Sequence, residues 1–265
     1  NQLAVLDIIR SNKNWERPIY FAVTTGPEVY MGLEPYFQLE GLAYRLVPII
    51  HQERRNPTVD GGVNTDLMYQ NMMNEFHWGN MDSEDIYMDE NNRRMTTNLR
   101  LQFSNLAEAL LLENKSDSAI SVLNRAFEVM PEKNVPYDRV ILPLIESYFE
   151  AGDSINGRKY AERLFEITRD ELEYFDSLDK NRKASVESDY TLHIQVNLRM
   201  METMLQYFPD DPKLTEMKAQ MDEALDKAMS TFPEVEDLSK YKEHFERLKE
   251  KHKEFFTRDT PPIEF

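Results

Sequence analysis

The chain has 265 residues, of which 48 are Asp or Glu and 31 Lys or Arg, a formal charge of -17 at pH 7. A surface this acidic repels phosphate backbones, which argues against nucleic acid as a partner. The absence of cysteine excludes disulfides, thiolate metal sites and cysteine nucleophiles. No apolar stretch approaches the roughly 18 to 20 residues of a membrane span, since Leu3 to Ile9 and Gly41 to Ile50 are short and carry Asp7 and Arg45. The chain begins with Asn and has no basic-then-apolar leader, which we read as a piece of a longer polypeptide.

Six of the eight glycines and both tryptophans fall in the first 80 residues, so a mixed α/β region over 1-90 gives way to a helical one. Leu3 to Arg10 shows a short helical face. Pro18 to Thr24 and Leu42 to Ile50 read as strands, being aromatic and β-branched. Asn64 to Asp66 starts a helix of three turns that ends by Gly79.

Residues 91-236 read as three helical hairpins. In the first, Phe103, Leu106, Ala107 and Leu110 face Ala119, Leu123 and Ala126 across a polar turn, and Pro131 closes the unit. Those spacings fit the tetratricopeptide pattern, in which small residues let antiparallel helices approach. A shift of 38 residues brings a second copy: Ile141, Leu144, Ile145, Tyr148, Gly152, Gly157, Ala161 and Leu164. Pro143 requires its first helix to start late or kink. A third, looser hairpin carries Tyr190, Ile194, Leu198, Met201 and Leu205, then Leu214, Met217, Met221, Ala224 and Ala228. Residues 237-265 hold a capping helix and tail. Its seam of Leu238, Tyr241, Phe245, Leu248, His252 and Phe255 fits packing on the preceding hairpin or a short coiled-coil dimer. The fold class is therefore mainly α, with tetratricopeptide-like hairpins behind a small mixed α/β region.

No phosphate loop, nucleophile elbow or metalloprotease motif is present, and the five histidines fall at no helical spacing for a shared metal. No cofactor, metal or catalytic residue is implied. Asp82, Glu84, Asp85, Asp89 and Glu90 could hold a hard cation or form a solvated acidic loop. The first helices of the hairpins form a groove for a protein or peptide partner, lined by Leu101, Ser104, Asn105, Glu108, Leu111, Arg139, Leu142, Glu146 and Phe149, unless the last helix fills it. Trp15, Arg17, Tyr44, Arg45 and Trp78 are candidates for stacking on and clamping a glycan, or for a small aromatic core. The acid-hydroxyl-apolar tripeptides at Asp117, Asp153 and Asp176 read as O-glycosylation acceptors or, for the first two, as helix caps.

The run Trp15-Glu16-Arg17-Pro18-Ile19-Tyr20-Phe21-Ala22, then Tyr36 to Pro48, Phe76-His77-Trp78-Gly79, and Tyr87 to Glu90 with Arg93 and Arg94, resembles one family. This is the soluble C-terminal domain of a bacterial multi-spanning membrane protein family of unknown function. That family is related to type C glycosyltransferases and to a eukaryotic transmembrane protein O-mannosyltransferase. The resemblance implies a membrane-embedded catalytic half before residue 1, using a lipid-linked sugar, and a periplasmic location with the helix at Leu3 nearest the bilayer. The expectation is a non-catalytic accessory domain that orients a protein acceptor. The alternatives are a carbohydrate-binding module and a structural or self-association tail.

Overall fold

The computed structural model describes residues 2–51, 59–83 and 86–253. They form ten α-helices and a four-stranded sheet. Two compact units result, one of residues 1–136 with 150–153 and one of 137–149 with 154–265. Composition shifts near Asn91, whereas the compact units part near Pro136.

The first unit opens with α1 (Gln2–Ser11), none of whose residues is buried. Strands β1 (Tyr20–Ala22), β2 (Phe37–Leu39), β3 (Ala43–Leu46) and β4 (Gly62–Val63) follow in the spatial order β1-β3-β2-β4. All pairs are antiparallel except β2 with β4. The second expected strand stops at Leu46, before Pro48, whose ring removes a ladder donor. β2 and β4 are too short to show a sequence period. Gly61 is needed where β4 approaches β2: its φ is +76°, and a Cβ there would lie 2.1 Å from the Phe37 carbonyl oxygen.

Register puts Phe21, Tyr44 and Leu39 opposite one another, and Phe37 opposite Leu46, all buried on one face. Phe37 stacks on Tyr44 at 5.4 Å and meets Tyr30 edge-on at 4.9 Å, while the Tyr30 hydroxyl donates to the Thr25 carbonyl. Helix α2 (Thr65–Gln70) starts at Asn64, whose side chain accepts from the Leu67 N–H, and continues as a π turn to Glu75. Met68 and Met72 are fully buried.

Helix α3 (Glu90–Leu112) begins well before Leu99 because Asp89 caps it, accepting from the Asn92 N–H. It turns at Asn114 into α4 (Ser116–Val129), and every apolar residue expected on this hairpin seam is buried. Arg100, only 1% exposed, reaches past the end of α4. Its guanidinium donates to the Met130, Val135 and Pro136 carbonyls at 2.8, 2.8 and 3.2 Å. A cation there also complements the negative end of the helix.

In the second unit, a 3-10 turn at Arg139–Ile141 leads into α5 (Leu142–Ala151), with Pro143 in its first turn, where a missing N–H costs nothing. Helix α6 (Ser154–Ser177) follows, and Gly157 lies so close to Phe149 that a Cβ would sit 2.7 Å from the ring. The short α7 (Lys180–Ser185) is too brief to show periodicity. Helix α8 (Glu187–Tyr207) packs on α6 and α9 (Pro212–Thr231), and α10 (Glu236–Lys251) packs on α8 and α9. Of the expected α10 seam, Leu238 and Phe245 are buried, and Lys249 bridges to Asp222 at 2.9 Å. The seam therefore faces the preceding hairpin. Its residue Phe255 lies outside the described residues.

His193 on α8 is held at both ring nitrogens. Its Nδ1 lies 2.6 Å from the Asp189 carbonyl and its Nε2 bonds the Glu171 carboxylate on α6. Both partners only accept, so the ring satisfies both by carrying two protons. Burial pulls its pKa down, but the bonds and charges of Glu171 and Asp189 outweigh burial and raise it above the usual 6.5.

Two stability predictions result. Arg100→Ala leaves three carbonyls without their donor and should cost about 3 kcal/mol, read as a lower urea midpoint at unchanged slope. Arg100→Lys, which cannot reach all three, should recover only part of it. A raised folded pKa means the His193 contribution is complete below about pH 6.5 and is lost as pH climbs through the folded value. Unfolding curves from pH 5.5 to 8.5 should show this loss in the parent and a flatter profile in His193→Gln.

Candidate functional site

The strand period of two sends Tyr20, Arg45 and Gln38, directly opposite one another across β1, β3 and β2, to the sheet face away from the aromatic core. Glu40, just past β2, shares that face and is only 5% exposed. The Tyr20 hydroxyl donates to its Oε2 at 2.9 Å, and Gln38 Nε2 donates to its Oε1 at 2.8 Å. The Arg45 guanidinium lies 3.6 Å from Oε1. The Asn71 amide donates to the Glu40 carbonyl at 2.7 Å, so α2 also holds this residue in place. Burial, then the bond and charge of Glu40, raise the Tyr20 hydroxyl pKa, keeping it a neutral donor. The result is a fixed carboxylate beside a half-exposed phenol ring and guanidinium. Such an array can exchange hydrogen bonds with a hydroxyl-rich ligand and stack on its apolar face.

The five glycan candidates do not converge. Trp15 and Arg17 are exposed in the loop after α1, whereas Tyr44 is buried in the aromatic core. Arg45, its neighbour in sequence, faces the other way. Trp78 packs on Phe103 at 4.9 Å, with its indole nitrogen buried and unbonded among the described residues. Sequence reasoning counts Tyr20 among the N-terminal aromatic residues suited to sugar faces but does not join it to Gln38 and Glu40. Their common face depends on pairing between strands that are 3 and 4 residues long.

The expected groove residues divide between the two units. On α3, Ser104 and Asn105 are buried, and Leu101, Glu108 and Leu111 are half-buried. Ser104 donates to Glu108 at 3.2 Å, and the Asn105 amide donates to Gln102 at 3.2 Å. In the second unit Arg139 is exposed and Leu142 half-buried. Glu146 accepts from Arg199 on α8 at 2.5 Å. Phe149 is buried, stacked on Tyr207 at 5.0 Å and edge-on to Phe208.

Among the described residues no group of three His, Asp or Glu is arranged to hold a metal ion. Of the acidic run, Glu84 and Asp85 lie outside the described residues, and Asp89 is engaged as the cap of α3. Asp176, in one acceptor-like tripeptide, bridges to Lys227 at 3.2 Å and accepts from the Tyr190 hydroxyl. Among the described residues no helix is long and apolar enough to cross a membrane.

Residues 1–67 match the family model described as TMEM260-associated domain 2, a domain associated with a membrane protein. The matched segment takes in α1, the whole sheet and the element from Trp15 to Ala22, as well as Tyr36 to Pro48. The elements at Phe76 to Gly79 and Tyr87 to Arg94 lie beyond it. No curated protein and no solved structure matches the chain.

Proposed function

We propose that the chain is a non-catalytic accessory domain of a membrane-embedded, glycosyltransferase-like protein, placed on the periplasmic face, where tetratricopeptide-like hairpins hold or orient a protein acceptor. The observation that carries the membrane association is the match of residues 1–67 to a membrane-protein-associated domain. The helix pairs α3/α4, α5/α6 and α8/α9 support the binding role, with small buried residues at Ala107, Ala119, Ala126, Gly157 and Ala161. Hairpins so packed present polar side chains on a rigid support, as repeat-type binders do. Half-buried Glu108 in the first unit and exposed Arg139 in the second are, each within its own unit, the expected groove residues best placed to meet a partner. With a photo-crosslinking residue at 108 or 139 in the intact membrane protein, irradiation should yield adducts with acceptor polypeptides. The same residue at 240, exposed on α10, should not. Identical adducts from all three positions would sink the reading.

A second reading is a carbohydrate-binding module, favoured by the Tyr20, Gln38, Glu40 and Arg45 array. Calorimetric titration with mannosides and nucleotide sugars should give a binding heat that Glu40→Gln weakens at least tenfold. A flat titration of the parent chain removes this reading.

A further inference from the structure

We propose that α1 and the loop that follows it form a contact surface for an anionic lipid bilayer, a role that stands whether or not the hairpins bind an acceptor. In α1, Val5, Leu6, Ile8 and Ile9 share one side of the helix, with Asp7 opposite. Leu3, Leu6 and Ile8 are 83%, 52% and 55% exposed, and no α1 residue is buried. Val5 and Ile9, at the middle of that side, are half-buried, and Leu6 and Ile8, at its two edges, stand exposed.

The loop adds the polar half of the surface. Asn12 bridges it closed, its Nδ2 donating to the Arg17 carbonyl at 2.6 Å and its Oδ1 accepting from the Arg17 N–H at 3.1 Å. Within the closed loop Trp15 is held at φ +55°, a conformation a bulky residue adopts only when its surroundings impose it, and its ring is left 42% exposed. Arg10, Lys13 and Arg17 are exposed around it, and among the described residues none of them has an ion-pair partner. In a chain of charge -17, residues 1–51 hold five acidic and four basic side chains, a net -1, so the acidic excess lies elsewhere.

Exposed apolar side chains on the helix, a half-exposed indole in the loop that follows it and three cations free to meet phosphate are the parts of an in-plane membrane contact. The apolar side enters the acyl boundary, the indole sits at headgroup depth, and the cations face anionic headgroups. The cations without partners select the charged lipid surface.

Purified chain should pellet with vesicles containing one-third phosphatidylglycerol and stay in solution with phosphatidylcholine alone. High salt should weaken the binding, because exposed charges are screened. Binding should shift tryptophan emission to the blue, and Trp15→Phe should lose that shift. Leu6→Asp with Ile8→Asp should abolish pelleting, while Leu112→Asp, at an exposed leucine of α3, should leave it intact. Each of Arg10→Gln, Lys13→Gln and Arg17→Gln should weaken partitioning about fivefold. The proposal fails if the parent stays in solution with anionic vesicles, or if the Leu6 and Ile8 double variant pellets as the parent does. It also fails if light scattering without lipid shows a dimer that the double variant abolishes.

Discussion

One buried guanidinium organises the first unit. A cation as enclosed as Arg100 is tolerable only where acceptors surround it, and the chain supplies three carbonyls by folding back after α4. That fold-back places Asn134, whose amide donates to the Met81 and Ser83 carbonyls at 2.7 Å each. At the other end of the hairpin, Thr65 donates to Glu113, and Lys115 bridges to Glu113 and Asp66 at 2.8 and 3.0 Å. The hairpin is thus pinned at both ends to the polypeptide that carries the sheet. This is why the family-matched segment and the first hairpin share one compact unit.

The sheet divides its labour by face. Aromatic rings on one side make a core small enough that four of them, with Leu39 and Leu46, fill it. With the core supplied there, the other face is free to carry the Glu40 array, and the two faces cannot exchange roles without a one-residue slip of every strand. Polar recognition and structural stability are therefore assigned to alternate residues of the same short strands.

The second unit relies on charge as well as apolar packing. Arg199 with Glu146, His193 with Glu171, Arg158 with Asp211 and Lys249 with Asp222 each join different helices. Individually such partly exposed pairs add little. Together they set register between helices whose apolar faces are rich in methionine, a side chain that packs adaptably and specifies geometry poorly.

By itself the sequence determined the helices, because a period of 3.6 repeats often enough over α3, α4, α6, α8, α9 and α10 to stand above chance, and most of the seam residues it marks are buried, with Ala224, Tyr241, Leu248 and His252 half-buried. It also determined the charge and the absence of thiol chemistry. Only the tertiary structure decided what strands of two to four residues could not announce: the pairing of β2 with β4 and the burial of Tyr44 beside an outward Arg45. The convergence of Tyr20, Gln38 and Arg45 on Glu40 belongs to the same class. Such facts depend on contacts between residues distant along the chain, and a local period carries no record of which distant strand will lie alongside.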